Sequence, residues 1–468
     1  MNVSGFYGGN YYTTINQEPI VSFTNQSLGS ICLVPPISVK TAMSDETGSI
    51  ALRQLSVHEI VRILQQAGGI FASDNLSYGD TNQSPDDYCQ YYAMATGNPI
   101  QIARNMLDRT YSFLSNIETY LEQDSPSNVI DTYDTNVFET QRSLSMRWLP
   151  MANNLGVVLS DSLPYLNFFW LLALAMKYAI VLRPGWNDPM TPFRLILSLL
   201  KAGIPASALN LLMCGYDGID SMADRQSEKV IMFGGQRLVD KYCKAKNVKL
   251  FGPGHSKIYL DVNDYTVDDD LINFIFETVV VNAGKGCVNT SMVLVNRNGY
   301  DLAERLAYKL MEVQPLDPRD PASKLSALKS NELLAGIQLE IDKLLTQGAM
   351  NVTANLGCKD FIAKLGPVSI LMPIVLFVSG YQECFDVELP FPFVVVAEVN
   401  RDDAIRYFKG SLALTLLTED NHLIAHALSN PTIRKLFVGM HSPAVVDFSE
   451  PHEGLLGTYL YTEESLRW

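Results

Sequence analysis

The stretch FETVVVNAGKGCVNTS, residues 276–291, contains the feature from which the rest of the chain can be interpreted. An apolar run ends in the flexible turn Gly284–Gly286, Cys287 follows, and the apolar run Met292–Val295 comes next. This order predicts that Cys287 lies on a loop between a buried helix and a buried strand. Such a cysteine can attack a substrate if its loop faces a cleft and its thiol pKa is lowered. A lone cysteine is more often a buried structural residue, so the remaining motifs have to decide between the two interpretations.

The composition excludes several classes of protein. The 468 residues exceed the size of one hydrophobic core, so we expect two or three domains. A net charge of −15 argues against a nucleic acid or an anionic membrane as the main partner. The seven cysteines show no Cys-x-x-Cys pair and no repeated spacing, which favours reduced thiols and a cytoplasmic protein.

Three local features bear on membranes, metals and targeting. The apolar run at residues 166–182 is slightly short for a membrane span and carries Lys177, so we interpret it as a buried helix followed by a buried strand and predict no transmembrane segment. His422 and His426 stand at helical i, i+4 spacing, but they lack the Glu of a His-Glu-x-x-His motif and a third ligand nearby, so we predict no metal site. Residues Met1–Phe6 lack the basic-then-apolar order of a signal peptide.

Residues after 154 alternate between short apolar runs and helical patterns. The predicted strands are Gly156–Ser160, Tyr178–Pro184, Leu209–Met213, Val230–Phe233 and Val248–Phe251. Strands that alternate with helices at this spacing predict an α/β domain with a largely parallel sheet. Ligands of such sheets bind beyond the carboxyl ends of the strands, so the turns at these ends are candidate binding sites.

A second α/β pattern begins at Lys257 and contains the Cys287 loop. Its predicted strands are Ser291–Val295, Val368–Met372, Phe393–Ala397 and Leu412–Leu417, and residues 322–348 are predicted to be helical. Residues 1 to about 50 are polar and rich in Gly and Asn, which predicts edge strands or a loose arm.

Seven short motifs follow one another in an order that resembles the aldehyde dehydrogenase superfamily. They are Gly156-Val157-Val158, Ile180–Pro184, Leu200–Pro205, Phe233-Gly234-Gly235, Asn282–Cys287, Glu388–Pro392 and Pro451–Gly454. The resemblance covers residues 140–465. It implies an α/β fold with a Rossmann-type nucleotide-binding domain, an α/β catalytic domain and a small oligomerisation β-extension.

The resemblance also divides the chain. Residues 1–140 would form the N-terminal helical part of the nucleotide-binding region, and residues 141–255 the Rossmann-like NAD(P)-binding domain. Residues 256–442 would form the catalytic domain with Cys287. Residues 443–468 would supply a C-terminal oligomerisation strand, with Arg142–Trp148 as a second strand, so the resemblance implies a homodimer or homotetramer.

Three departures from the hydrolytic members resemble the CoA-acylating branch, to which the fatty acyl-CoA reductases of bacterial luminescence are related. Hydrolytic members carry a Glu-Leu-Gly-Gly-Lys segment whose Glu activates the deacylating water. Here that place reads Leu250–Ser256, with Phe251 and no carboxylate, and is similar to a Gly-Pro-Gly-Asn segment. The turns Pro164–Asn167 and Phe233–Gln236 resemble the Pro-x-x-Asn-Pro and Thr-Gly-Gly-Pro turns of that branch.

The resemblance implies a covalent mechanism. Cys287 would take an acyl group from a thioester, either acyl-CoA or a carrier-protein thioester, and hydride from NADPH or NADH would then release an aldehyde. The side-chain amide of Asn167 and the backbone N–H of Cys287 would stabilise the negative charge on the carbonyl oxygen. One such donor is worth about 100- to 1000-fold in rate.

The cofactor residues are also assigned by resemblance. They are Pro164, Arg183, Pro184, Trp186, Gly234, Gly235, Gly252, Gly254 and Glu388. Glu388 is similar to the ribose-binding Glu of a Glu-x-Phe-Gly motif, although Pro390-Phe391 departs from that pattern. Arg183 replaces a common Lys, and Trp186 stands where many NAD-specific members have Glu. A cation with no nearby acid favours NADPH over NADH.

Two further residues and two alternatives stay open. His255 is a candidate acid or base but fits a surface or supporting position better, and Asn282 is expected to cap or brace the cysteine loop. The first alternative to the acyl-thioester reductase is a hydrolytic NAD(P)-dependent aldehyde dehydrogenase. The second is a non-catalytic binding subunit that keeps the fold.

Overall fold

The structure is a computed structural model that describes residues 3–78, 81–141, 144–443 and 450–467. Arg142 and Ser143 of the predicted strand Arg142–Trp148, and residues 444–449 of the predicted C-terminal segment, lie outside the described residues. The chain divides into two compact units. Unit 1 comprises residues 1–96, 102–252 and 448–468, and unit 2 comprises residues 97–101 and 253–447.

Helices and strands alternate along most of the chain. The helices are α1 (Pro36–Ala42), α2 (Thr47–Arg53), α3 (Val57–Ser73), α4 (Pro85–Thr96), α5 (Ile100–Ser115), α6 (Ile117–Asp124), α7 (Thr132–Thr135), α8 (Asn167–Ala175), α9 (Met190–Ala202), α10 (Tyr216–Ala223), α11 (Gln236–Tyr242), α12 (Asp269–Val280), α13 (Gly299–Met311), α14 (Asn331–Thr346), α15 (Val352–Asn355), α16 (Asn421–Ser429) and α17 (Gly457–Leu460). The strands are β1 (Gly5–Tyr7), β2 (Asn10–Tyr12), β3 (Gln17–Val21), β4 (Ser27–Cys32), β5 (Leu76–Tyr78), β6 (Thr81–Gln83), β7 (Val137–Glu139), β8 (Ser145–Pro150), β9 (Asn154–Val158), β10 (Ala179–Arg183), β11 (Leu209–Leu211), β12 (Lys229–Phe233), β13 (Val248–Phe251), β14 (Ser256–Leu260), β15 (Thr290–Val295), β16 (Met350–Asn351), β17 (Ile362–Leu365), β18 (Val368–Leu371), β19 (Ile374–Val378), β20 (Phe393–Glu398), β21 (Ala413–Leu417), β22 (Lys435–Val438) and β23 (Tyr461–Ser465).

Unit 1 is built on a seven-stranded sheet in the order β13-β12-β9-β10-β11-β1-β2. The first five strands are parallel, and β1 and β2 extend the edge in antiparallel fashion. Strands β9 and β10 are buried along their whole length, which explains their near-continuous apolar sequences. The expected α/β fold with a parallel sheet is confirmed here.

Unit 2 contains a second seven-stranded sheet, in the order β16-β19-β20-β15-β14-β21-β22. All neighbours are parallel except the edge strand β16. The central strands β14 and β15 are fully buried, and each directly follows a segment that contains predicted site residues. Strand β14 follows the Gly252–Gly254 turn, and β15 follows the Cys287 loop.

The apolar run at residues 166–182 is divided between two elements, as the sequence predicts. Helix α8 ends at Ala175, Lys177 adopts a left-handed φ of 65°, and β10 starts at Ala179. The Lys177 ammonium is buried, donates to the Leu55 carbonyl at 2.8 Å and pairs with Asp134, which satisfies the charge that the apolar run carries. In the described part of the chain, no helix is long and apolar enough to cross a membrane.

Three expectations about secondary structure need correction. Residues 1–140, named as a helical part, also contain strands, and the edge strands expected before residue 50 are present as β1–β4. The helix predicted at residues 322–348 begins only at Asn331, where Ser330 caps it by accepting from Leu333 N–H at 3.1 Å. The C-terminal strand is β23, Tyr461–Ser465, and the residues before it form the short helix α17. Strand β23 pairs with β8 in a three-stranded antiparallel sheet, β23-β8-β7.

Candidate active site

Cys287 lies on a loop between α12 and β15 in unit 2, as predicted from the sequence. Helix α12 starts at a cap in which the Asp268 side chain accepts from Leu271 N–H, and it ends in a tight turn at Val281–Gly284. Asn282 and Ala283 have left-handed φ values of 53° and 57°, a strained conformation for residues with a side chain. The surrounding structure must therefore hold this turn. Cys287 itself is half-buried.

Asn289 fixes the Cys287 loop to the end of α12. Its side-chain amide donates to the carbonyls of Thr278, Val279 and Val281 at 3.0, 3.3 and 2.9 Å, and its oxygen accepts from Gly286 N–H at 2.8 Å. These carbonyls belong to the last turn of the helix, which has no intrahelical donors left for them. One buried amide thus ends the helix and closes the loop around the cysteine.

Asn282, expected to cap or brace this loop, contributes through its backbone, and the side chain that closes the loop is that of Asn289. Asn282 contributes its backbone carbonyl, which accepts from Lys285 N–H at 3.3 Å, and its half-buried side chain is not what closes the loop. Asn289 was missed, although a signal was present. It is a polar residue between Cys287 and the apolar strand β15, a position where an unpaired amide would be costly.

The segment Gly254–Lys257 packs directly against the backbone of Cys287. A Cβ atom on Gly254 would lie 1.8 Å from the Cys287 carbonyl oxygen, and the Ser256 hydroxyl donates to the same oxygen at 2.8 Å. Gly254 was predicted to contact the cofactor. The structure instead gives its lack of a side chain a reason within unit 2, which is the close approach of Cys287. Gly252 belongs to unit 1, where a Cβ would meet the Val239 side chain at 2.8 Å.

Two carboxylates from the segment after β19 hold Gly254–Lys257 in place. Glu388 Oε2 accepts from the N–H groups of Gly254 and His255 at 2.8 and 3.2 Å. Burial raises the pKa of Glu388, although both of these hydrogen bonds oppose the shift. Asp386 lies 2.8 Å from the fully buried Lys257 ammonium and 3.3 Å from His255 Nδ1, the latter without full hydrogen-bond alignment.

The charges of this cluster shift the pKa values of Asp386 and His255. Burial raises the pKa of Asp386, but His255 and Lys257 outweigh burial and bring it below the usual value. The interaction with Asp386 raises the pKa of His255. His255 thus has a carboxylate partner, and its φ of 45° lies in the left-handed region. The Lys257 ammonium also donates to Ser411 Oγ at 3.3 Å.

A third contact to the Cys287 loop comes from far away in the sequence. Residues 97–101 belong to unit 2 because Gly97 accepts from Ala327 N–H at 2.8 Å and Ile100 N–H donates to Pro318 at 2.7 Å. This places the buried side-chain oxygen of Asn98 against the Lys285 ammonium, two residues before the cysteine. The sequence offered no periodic signal for this pair, because 187 residues separate its members.

Asn167, the predicted oxyanion donor, belongs to unit 1 and starts helix α8. Its side-chain nitrogen donates to the Pro164 carbonyl at 2.8 Å, and its oxygen accepts from Trp170 Nε1 at 2.8 Å. These two bonds orient the amide, because one holds its nitrogen and the other holds its oxygen. One hydrogen of the amide is used by Pro164, which here shapes the turn before α8.

The predicted phosphate-binding glycines follow β12 in unit 1. Gly234 N–H donates to the Phe251 carbonyl at 3.1 Å, and Gly235 is exposed at the start of α11 with no side-chain cap. A Cβ on Gly235 would meet nothing within 4 Å. The backbone is therefore open at this turn, as close approach of a phosphate group requires.

Arg183 and Trp186 form one cluster, but an acid accompanies them. The Arg183 guanidinium donates to the Pro184 carbonyl at 2.8 Å and lies 4.9 Å from the centre of the Trp186 ring. Burial lowers its pKa, and the nearby Cys214 and Asp161 oppose that shift. The expectation that no acid lies near Arg183 is therefore wrong, and Asp161 accepts from Asn187 N–H at 2.7 Å in the same region.

Phe251, in the segment that resembles the Glu-Leu-Gly-Gly-Lys segment of hydrolytic members, lies in an aromatic cluster of unit 1. Its ring stacks on Phe233 at 4.6 Å and packs against Phe169 at 4.9 Å, and His452 lies 6.2 Å away. Phe251 is only 5% exposed. This position therefore carries an apolar ring in contact with other rings and offers no carboxylate.

Comparisons with known proteins agree with this architecture. Residues 42–419 match the model of the Aldehyde dehydrogenase family. The curated relatives include the aminoacetaldehyde dehydrogenase of Pseudomonas aeruginosa, 26% identical over 202 residues that make up 41% of each chain. The malonate-semialdehyde dehydrogenase 3 of Bacillus cereus is 26% identical over 34% of this chain and 33% of its own length. The chain thus matches less than half the length of these two relatives.

Solved structures show the same fold at lower identity. The indole-3-acetaldehyde dehydrogenase of P. syringae has a TM-score of 0.81 at 17% identity, covering 99% of this chain and 96% of its own. A putative methylmalonate-semialdehyde dehydrogenase of Sinorhizobium meliloti has a TM-score of 0.81 at 15% identity, covering 100% and 98%. The names of these relatives are those of aldehyde and semialdehyde dehydrogenases, so the narrower acyl-CoA reductase assignment stays a proposal. With a family model that spans most of its length, the chain belongs to the aldehyde dehydrogenase family.

Proposed function

We propose that the protein reduces an acyl thioester to an aldehyde through an acyl-enzyme on Cys287. The observation that carries this proposal is Phe251. Its aromatic ring, packed 4.6 Å from Phe233, lies in the segment Leu250–Ser256, which resembles the segment in which hydrolytic members carry the Glu that activates water and which here contains no carboxylate. Without that base, hydrolysis of the acyl-enzyme is slow, so hydride transfer or attack by a thiol can decide its fate.

The steps use groups whose positions are braced within their own units. The Cys287 thiolate attacks the thioester carbonyl carbon, a carbon–sulfur bond forms, and the carrier thiol leaves with a proton. The Cys287 N–H is the proposed donor to the oxyanion, and the family resemblance assigns a second donor to the side-chain amide of Asn167, each worth about 100- to 1000-fold in rate. A reduced nicotinamide dinucleotide, when bound, supplies hydride to the acyl carbon. The resulting thiohemiacetal then releases the aldehyde and returns the Cys287 thiolate.

The loops of unit 1 fit a nicotinamide dinucleotide as the cofactor. The open turn at Gly234–Gly235 follows a strand of a parallel sheet, where pyrophosphate groups are commonly bound. The Arg183 charge supports NADPH, as expected from the sequence, whereas Asp161 would repel a 2′-phosphate. The preference for NADPH over NADH therefore rests on Arg183.

The acyl donor and the assembly are also part of the proposal. We expect acyl-CoA or a carrier-protein thioester as the substrate. The sheet β23-β8-β7 has two edge strands, β7 and β23, and resembles the oligomerisation strands of the family, so a homodimer or homotetramer is proposed.

A second candidate function is oxidation of an aldehyde to the free acid. The names of the curated relatives favour it, because several are semialdehyde dehydrogenases. It requires a base for water that Phe251 does not provide. The two functions therefore differ in one measurable product, the free acid formed without any thiol acceptor.

The test is NAD(P)H consumption against acyl-CoAs from short to long chain, with NADPH and NADH compared by kcat/KM. We expect aldehyde formation, and we expect Cys287→Ala to lower the rate at least about 1000-fold. Conversion of aldehyde and NAD(P)+ to free acid in the absence of thiol would refute the reductase in favour of the second candidate. Absence of both activities and of nucleotide binding would leave a non-catalytic binding subunit.

A further inference from the structure

The short segment Gly254–Lys257 connects two parts of unit 2 that the sequence does not link. On one side it touches Cys287, through the close approach of Gly254 and the 2.8 Å hydrogen bond from Ser256 Oγ. On the other side it is bonded to Asp386 and Glu388. Any displacement of this segment would therefore move the Cys287 carbonyl, and with it the adjacent thiol and N–H.

Glu388 is bonded to this segment through backbone groups. Its Oε2 accepts both the Gly254 and the His255 N–H, and these two donors lie on consecutive residues. Gly254 is further fixed through its carbonyl, which accepts from Leu412 N–H at 2.7 Å. A partly buried carboxylate that accepts hydrogen bonds from two consecutive N–H groups fixes the backbone orientation of those residues, as an acidic side chain does at the start of a helix.

Asp386 anchors the other end of the same segment. The Lys257 side chain is fully buried and pairs with Asp386 at 2.8 Å, and it also donates to the His255 carbonyl at 3.2 Å. A buried ammonium without a carboxylate would be strongly unfavourable, so the position of Lys257 depends on Asp386. The charged groups that face one another in this cluster are Asp386, Glu388, His255 and Lys257.

We propose that Glu388 is a positioning residue, which holds the Cys287 loop in its reactive geometry through Gly254–Lys257, the segment that Asp386 anchors at its other end. The proposal rests on Cys287 as the nucleophile of the proposed function. It differs from the expectation drawn from the family, in which Glu388 would bind the nicotinamide ribose. A ribose ligand and a positioning residue are distinguishable, because the first acts on nucleotide affinity and the second acts on the thiol.

The experiment replaces Glu388 in the full-length chain and measures two quantities that require no turnover. The first is the rate of iodoacetamide alkylation of Cys287, followed by peptide mass spectrometry, because Cys243, Cys358 and Cys384 are also accessible. The rate is measured from pH 6 to pH 9, since a displaced loop changes the pH profile of the thiol. The second is the Kd for NADPH and NADH.

The variants separate the acceptor role from the charge. Glu388→Ala removes both hydrogen bonds, and we expect the alkylation rate to change about 10-fold or more with a shifted pH profile. Glu388→Gln keeps an oxygen acceptor and is expected to stay within about 3-fold of the original rate. Nucleotide Kd should stay unchanged in both. Glu383→Gln and Glu383→Ala, at an exposed acid of the same segment, are the matched controls.

Two outcomes would overturn the proposal. One is a nucleotide Kd that rises about 10-fold in both Glu388 variants while alkylation of Cys287 stays unchanged, as a ribose ligand predicts. The other is an alkylation profile of Glu388→Ala equal to that of the Glu383 controls. If Glu388→Ala does not fold, Glu388→Asp keeps the charge but shortens the reach, and it should alter the thiol profile in the same direction. Neither readout measures thioester reduction, so failure of the proposed activity would be seen separately.

Discussion

The two units use glycine in opposite ways next to their functional loops. In unit 1, Gly235 is exposed and a Cβ there would meet nothing within 4 Å. In unit 2, a Cβ on Gly254 would lie 1.8 Å from the Cys287 carbonyl oxygen. The first glycine keeps a backbone open to a ligand, whereas the second lets two backbones pack together. Glycine thus leaves an exposed backbone turn in unit 1 and allows close backbone packing in unit 2.

The side chains around these turns follow the same division. The Gly234–Gly235 turn has one backbone hydrogen bond to β13 and no side-chain cap. The Cys287 loop is held by Asn289, by Ser256 and by the Lys285–Asn98 pair. A loop that must place a nucleophile gains from fixed geometry, because misplacement by about 1 Å can cost about 100-fold in rate. A turn that admits a large ligand has to stay accessible.

The largest effect is expected for Gly254→Ala. Its new methyl group would collide with backbone atoms of Cys287, which cannot rotate away as a flexible side chain can. We expect kcat for thioester reduction to fall about 100-fold. Gly69→Ala, in helix α3 of unit 1 and outside the proposed binding turns, is the matched control, since a Cβ there would meet nothing within 4 Å. Equal kcat and equal thermal stability of the two variants would show that the close packing of Gly254 against Cys287 does not matter for the loop.

A smaller effect is expected for Asn289→Ala. The substitution leaves the carbonyls at the end of α12 without their side-chain donor, so we expect the free energy of unfolding to fall by about 2 kcal/mol. Urea unfolding measures this change. Asn116→Ala, which removes one exposed bond to the Ser112 carbonyl, should cost less than about 1 kcal/mol. A loss no greater than that of Asn116→Ala would show that Asn289 does not hold the loop.

The smallest effect concerns the pH dependence that His255 gives to unit 2. Asp386 raises the pKa of His255, so the folded state binds the proton more tightly than the unfolded chain does. This contribution is complete below the unfolded pKa and disappears as the pH rises through the folded one. The side chain is 30% exposed, so we expect less than about 1 kcal/mol.

The measurement compares the original protein with His255→Gln by urea unfolding at pH 6 and pH 9. The stability difference between them should be larger at pH 6. The lowered pKa of Asp386 acts in a more acidic range and does not interfere with this window. A difference that stays constant or grows toward pH 9 would contradict the ion pair.

Much of the fold could be predicted because most of its helices and strands have a recognisable hydrophobic periodicity over a few residues. The alternation of apolar runs with helical patterns predicted two parallel sheets, and the run at residues 166–182 was correctly divided between helix and strand. The Cys287 loop was placed between a helix and a strand for the same reason. An error fell where local signals are weak, at the start of α14, whereas the edge strands expected before residue 50 are present as β1–β4.

The sequence by itself determined which segments become helices, strands and turns, and it placed a cysteine and several glycines at strand ends, because periodicity and glycine content act over a few residues. Only the tertiary structure decided what surrounds them. Asn98 meets Lys285 across 187 residues, and Glu388 meets Gly254 across 134. Such pairs follow from the order of strands in the sheet and from the burial of polar groups, which must find partners wherever the fold places them.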